Sequence, residues 1–125
     1  MDLSKYTHGV HVEGGRVWPH VDCYGLVLEV RADMGLPAWP EWADTRKADG
    51  EMTDVAADFL PSLHPCEPHA GAMAVCYEGS HVTHVGVVVD VNGMLEVLDT
   101  RSCGGVKCLP LSRYRRAFNK VEFYD

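Results

Sequence analysis

The run Val85-Gly86-Val87-Val88-Val89, the pair Asn92-Gly93 and the stretch Met94-Leu95-Glu96-Val97-Leu98-Asp99 together predict a β-hairpin in the second half of the chain. A short, apolar, β-branched run suits a strand buried on both faces. Asn-Gly supplies the positive φ angles of a tight turn. A two-residue turn there places Val91 opposite Met94 and Val89 opposite Glu96, whereas a longer or bulged connection shifts the pairing. Around this hairpin, Ala72 to Tyr77 reads as an earlier strand, Val106 to Leu109 as a later one and Val121 to Tyr124 as a closing strand. Ser112 is the candidate N-cap of a short basic helix running to Phe118.

The first half has a different period. Cys23, Leu26 or Val27, Val30 and Met34 fall on one side of a helix. Asp22 stands where a carboxylate can accept the unpaired N–H groups of the first turn. Gly35 offers the left-handed conformation that ends a helix, and Pro37 blocks its continuation. Gly25 lowers helix propensity, which is explained if another segment packs against the first turn. A second helix is expected from Thr53 to Leu60, and the stretch from Met1 to Val21 reads as irregular. Trp39 and Trp42, among Pro37 and Pro40, form either an aromatic wall beside a cleft or a satellite hydrophobic cluster. Helices first and antiparallel strands second predict an α+β fold with N-terminal helices on a central antiparallel sheet.

With 125 residues, one domain spanning 1–125 is expected. No apolar run reaches the ~20 residues of a membrane span, and the start lacks the pattern of a secretory leader, so synthesis in the cytoplasm is expected. A formal charge of −7 argues against nonspecific nucleic-acid binding. The basic cluster Arg113, Arg115, Arg116 and Lys120 reads as a solvated helix face. Cys23, Cys66, Cys76, Cys103 and Cys108 are an odd, loosely spaced set of 5. Without a leader they do not suggest a disulfide framework. The nearest approaches to a zinc pattern are Cys66-Glu67-Pro68-His69 and the pair Cys103 and Cys108 around their Gly-Gly turn. With neither CxxC nor HExxH present, no metal and no cofactor is expected.

Cys23 is the candidate nucleophile. A thiol at a helix N-terminus meets a positive electrostatic environment, and the unpaired N–H groups there can receive an oxyanion. His84, leading into the strong strand, is the candidate base; His81, three residues earlier, competes for the role. Glu96 and Asp99 both lie beyond the turn, on opposite faces of their strand, and pairing alone does not choose which of them orients the imidazole.

Gly14-Gly15 followed by Val21-Asp22-Cys23-Tyr24-Gly25-Leu26-Val27 resembles the nucleophile motif of the NlpC/P60 family of papain-like cysteine peptidases. His84-Val85-Gly86-Val87 with its hairpin resembles the family's His-Val-Gly strand, and Pro68-His69-Ala70-Gly71-Ala72 is similar to the stretch before the first core strand. Tyr24 stands where the family commonly has Ser, and Gly71-Ala72 where it has Gly-Asp. The resemblance implies a papain-like fold, Cys23 as nucleophile, His84 rather than His81 as base, and Glu96 in the third position, usually a His; Asp99 is the reserve. His11 stands where the family often has a Tyr, with Tyr6 as a possible substitute. The implied activity is hydrolysis of a peptidoglycan stem-peptide amide bond. Asp-Cys-Tyr-Gly and the ending Val106 to Tyr114 look like small members encoded with phage tail-assembly genes. This implies tail proteins as partners, and a tail-associated or periplasm-delivered protein. The alternative is a noncatalytic tail-assembly or structural module with the same fold.

Overall fold

The computed structural model of the protein describes residues 2–42, 51–101 and 105–125. Cys103 and its Gly-Gly turn fall wholly or partly outside these residues.

The opening segment is more ordered than its sequence suggests. A 3-10 turn (Ser4–His8) leads to β1 (Val10–His11), β2 (Arg16–Val17) and β3 (His20–Val21), which form a three-stranded sheet in the order β1-β3-β2. Strands of two residues are too short to show an alternating pattern, so this sheet was invisible to periodicity.

Helix α1 (Cys23–Asp33) starts and stops where its local signals place it. Asp22 Oδ1 accepts the Gly25 N–H at 2.8 Å. At the other end Gly35, at φ 72°, donates to the Ala32 carbonyl, and Leu36 donates to Arg31. This paired arrangement satisfies the last carbonyls of the helix. A Cβ at position 25 would collide with the backbone oxygen of Gly15, so the Gly14-Gly15 loop is the segment that packs against the first turn. Helix α2 (Glu51–Phe59) follows, then a 3-10 turn (Leu60–Ser62).

The second half forms an antiparallel sheet of five strands, in the order β7-β6-β5-β4-β8. These are β4 (Met73–Glu78), β5 (His81–Val91), β6 (Met94–Arg101), β7 (Gly105–Pro110) and β8 (Lys120–Tyr124). The turn between β5 and β6 has Asn92 at φ 54° and Gly93 at φ 87°. Both positive angles match the tight turn whose twist suits a hairpin. It sets Val91 opposite Met94 and Val89 opposite Glu96, the pairing of a two-residue connection. Along β4 and β5, Cys76 faces His84 while Tyr77 faces Val82, leaving Thr83 as an extra residue in a bulge beside His84.

Both faces of this sheet are covered. One side carries Met73, Val75, Val85, Val87, Val89 and Leu98, packed with Leu26, Val27 and Val30 of α1 and with Phe59 of α2. The other carries Ala74, Val88 and Val97 against Tyr114 of α3 (Leu111–Arg116). The architecture is therefore α+β, with the N-terminal helices on a central antiparallel sheet. Helix α3 is not capped by Ser112: Pro110, the last residue of β7, occupies the cap position and Ser112 lies inside the helix. A proline locks φ near the helical value, so the strand can turn directly into the helix without a side-chain cap. Arg113, Arg115, Arg116 and Lys120 are all exposed. Trp39 and Trp42 pack on Phe59, with ring centroids 5.4 Å and 6.2 Å away, as a cluster at the edge of the core. Among the described residues, no helix is long and apolar enough to cross a membrane.

The two α1 glycines separate steric from conformational cost. Gly25→Ala is expected to lose about 1–3 kcal/mol of unfolding free energy through overlap with the Gly15 backbone. Gly35→Ala meets nothing within 4 Å and is expected to lose only ~1 kcal/mol, from the left-handed φ. Urea titrations of both variants check the order.

Candidate active site

The two glycines, Arg16 and Asp22 build the environment of Cys23. Asp22 Oδ2 accepts the Gly14 N–H at 3.1 Å, while Oδ1 accepts from Arg16 Nη1 at 2.6 Å as well as from Gly25. Arg16 also donates to the carbonyls of Gly15 and Trp42, both at 2.9 Å. Both charged side chains are buried, at 7% and 6% exposure, so each depends on the other to offset lost hydration. Cys23 is thereby fixed as the first residue of α1, with a fully buried side chain. Arg16 was not recognised from the sequence. Its position immediately after the Gly14-Gly15 pair and six residues before an N-cap aspartate is the only local hint, and that spacing has no general meaning.

Residue His84 is brought to Cys23. The imidazole is 3% exposed, and its Nε2 lies 2.9 Å from Asp99 Oδ2. Its ring stacks on Phe118, with centroids 6.0 Å apart and planes 15° from parallel. Burial pulls the imidazole pKa down, but hydrogen bonding to Asp99 and to Cys23 outweighs it, and the net shift is upward from 6.5. For Asp99, burial pushes upward, yet the His84 contact and the nearby Arg101 guanidinium hold the carboxyl below 3.8. The three side chains Cys23, His84 and Asp99 therefore form one electrostatic unit.

Glu96 is not part of it. Its carboxylate accepts from the Cys108 thiol at 3.2 Å, and its backbone pairs with Val89, five residues along β5 from His84. The structure does not bring Glu96, expected in the third position, to His84; Asp99 is the carboxylate beside the imidazole. The reason is ladder geometry: pairing is counted outward from the Asn92-Gly93 turn, so a long arm between His84 and the turn moves the facing position past residue 96. Alternation then selects Asp99, which shares a sheet face with Val97 and not with Glu96. Gly86 leaves room for this packing, because a Cβ there would lie 2.7 Å from Val97 Cγ1 and 2.9 Å from the Tyr114 hydroxyl.

His81 is exposed at the start of β5. His11 Nδ1 lies 3.4 Å from the Thr100 hydroxyl, next to Asp99 in the chain. Tyr6 donates its hydroxyl to Asp33, at the opposite end of α1 from Cys23. An apolar cavity bordered by Arg16, Asp22, Tyr24, Trp42, Phe59 and Val85 adjoins the site without including Cys23 or His84. Among the described residues, no group of three or more His, Cys, Asp or Glu side chains is arranged to hold a metal ion. No protein-family model and no curated protein matches the chain.

The two opposite pKa shifts predict a window of stability. Stabilisation through the lowered Asp99 is present above about pH 3.8 and is lost as pH falls through its folded-state pKa. Stabilisation through the raised His84 is fully present below pH 6.5 and is lost as pH rises through its folded-state pKa. Between those limits, Asp99→Asn is expected to lose roughly 1–3 kcal/mol and to flatten the pH dependence, whereas Glu96→Gln leaves that dependence in place. Urea unfolding from acid to mildly basic pH checks both variants.

Proposed function

We propose that this chain is a papain-like cysteine peptidase or amidase of the NlpC/P60 type, with Cys23 as nucleophile, His84 as base and Asp99 as the group that orients the base. The observation that supports the reading is the meeting of the first residue of α1 with an imidazole whose Nε2 is already engaged by a buried carboxylate. Nδ1 is then the ring nitrogen left to take the thiol proton. Attack of the sulfur on an amide carbonyl forms a tetrahedral intermediate, whose oxyanion is received by the backbone N–H of Cys23 at the helix start. His84 returns the proton to the departing amine and activates the water that releases the acyl group.

The proposed substrate is a peptidoglycan stem-peptide amide, a class drawn from the resemblance of the Asp22-Cys23 and His84-Val85-Gly86 motifs. Delivery by a phage tail, with tail proteins as partners, belongs to the same proposal. Water and an acceptor amine are both chemically competent to resolve the acyl-enzyme, so transfer accompanies hydrolysis wherever an amine outcompetes water.

A second reading is favoured by one observation: Cys23 has no exposed surface, and His84 and Asp99 are each 3% exposed. A substrate reaches this sulfur only if covering groups move aside. In a noncatalytic tail-assembly module the same buried trio would serve stability alone.

Mass analysis of purified muropeptides after incubation separates the readings. Wild-type protein is expected to cleave, Cys23→Ala to be inactive, and Asp99→Ala to lose at least ~10-fold in kcat. Glu96→Ala is expected to stay within about twofold of wild type. Absence of cleavage and of thiol labelling in the wild type, with retained binding of a tail protein by Cys23→Ala, would favour the structural module.

A further inference from the structure

We infer that Arg101 is a positioning residue for the Asp99–His84 pair: its guanidinium shares the Asp99 carboxylate with the imidazole and limits how strongly that carboxylate holds a proton on His84. The consequence for rate rests on the proposed thiol chemistry, whereas the effect on His84 itself does not.

The geometry places Arg101 on two sides of the pair. Its Nη2 lies 3.4 Å from Asp99 Oδ2, the same oxygen that faces His84 Nε2 at 2.9 Å. The guanidinium also sits over the Phe118 ring, 5.4 Å from its centroid, and that ring stacks on the imidazole. Arg101 is two residues from Asp99 on β6, so both side chains leave the same face of the sheet. Phe118, just beyond α3, gives the cation and the imidazole a common apolar support.

The other groups around the imidazole do not supply this charge. Cys23 approaches from α1, and Cys76 faces His84 from β4. Tyr114 of α3 accepts a hydrogen bond from Cys76 at 3.2 Å. Burial pushes the Cys76 thiol up to about 12 and raises the Tyr114 phenol, which leaves both neutral through the neutral range. Lys107 of β7 borders a recess with Val97, Asp99, Arg101 and Leu109, so a second cation stands near Asp99. Among the described ion pairs, however, Arg101 is the cationic partner of Asp99 besides His84. A cation sharing one carboxylate oxygen stabilises the ionised carboxylate and weakens its claim on the imidazole proton. The Arg101 side chain is 44% exposed, so water and salt moderate the effect and the expected shift is small.

The test is an NMR titration of the His84 ring in the intact protein, for wild type, Arg101→Gln and Arg101→Lys, with circular dichroism confirming that each is folded. Arg101→Gln is expected to raise the His84 midpoint by about half a pH unit at low salt. Arg101→Lys keeps the charge and is expected to recover more than half of that difference. An unchanged or lowered midpoint in folded Arg101→Gln overturns the inference, as does an equal rise in Arg101→Lys. The pH profile of Cys23 alkylation, measured in parallel, tests the thiol chemistry separately. If Cys23 fails to react at any pH while the midpoint moves as expected, the peptidase reading fails and the role of Arg101 stands.

Discussion

The buried contact between Arg16 and Asp22 joins three parts of the structure at the point where α1 begins. One carboxylate caps the helix through Gly25, closes the glycine turn through Gly14 and neutralises Arg16. Arg16 in turn reaches the carbonyls of Gly15 and Trp42 and lies over the Tyr24 ring at 5.2 Å. Charges this well buried persist only where nearly every hydrogen-bonding position is filled. The small opening sheet, the helix start and the aromatic edge of the core therefore hold one another in place, and the position of Cys23 follows from them.

The far end of α1 is secured by different means. Arg31 donates to the Gly71 carbonyl at 2.8 Å and sits over the Trp39 ring, its charge centre 3.6 Å from the ring centroid. Burial lowers its pKa, and Asp125 partly offsets that shift. Lys5 pairs with Glu29 at 2.6 Å and Asp33 at 2.8 Å on the exposed side. Exposed pairs of this kind add little stability, so the buried contacts of Arg31 and the apolar side of α1 account for most of the docking. A helix tied at both ends does not slide over the sheet, which keeps Cys23 in register with His84.

On the sheet side, the bulge at Thr83, the missing side chain at Gly86 and the Phe118 ring together shape the space around the imidazole. A bulge redirects a side chain at the cost of local ladder bonds, a common arrangement where a strand must present a specific group. Asp99 then has two cationic partners, the buried imidazole of His84 and the more exposed guanidinium of Arg101.

Local interactions were readable from the chain by itself. The cap at Asp22, the stop at Gly35, the turn at Asn92-Gly93 and the pairing of Val89 with Glu96 each depend on residues within a few positions of one another, and each residue type carries its own stereochemical signal. So does the close approach anticipated at Gly25, although not the identity of the approaching loop. The two-residue strands, the Pro110 start of α3, the contacts of Arg16 and the contact of Asp99 rather than Glu96 with His84 emerge only in the tertiary structure. These depend on which strands pair, where a bulge falls and which distant groups share a buried space. A motif counted along the chain contains none of that, because distance along a hairpin arm and distance across its ladder change independently.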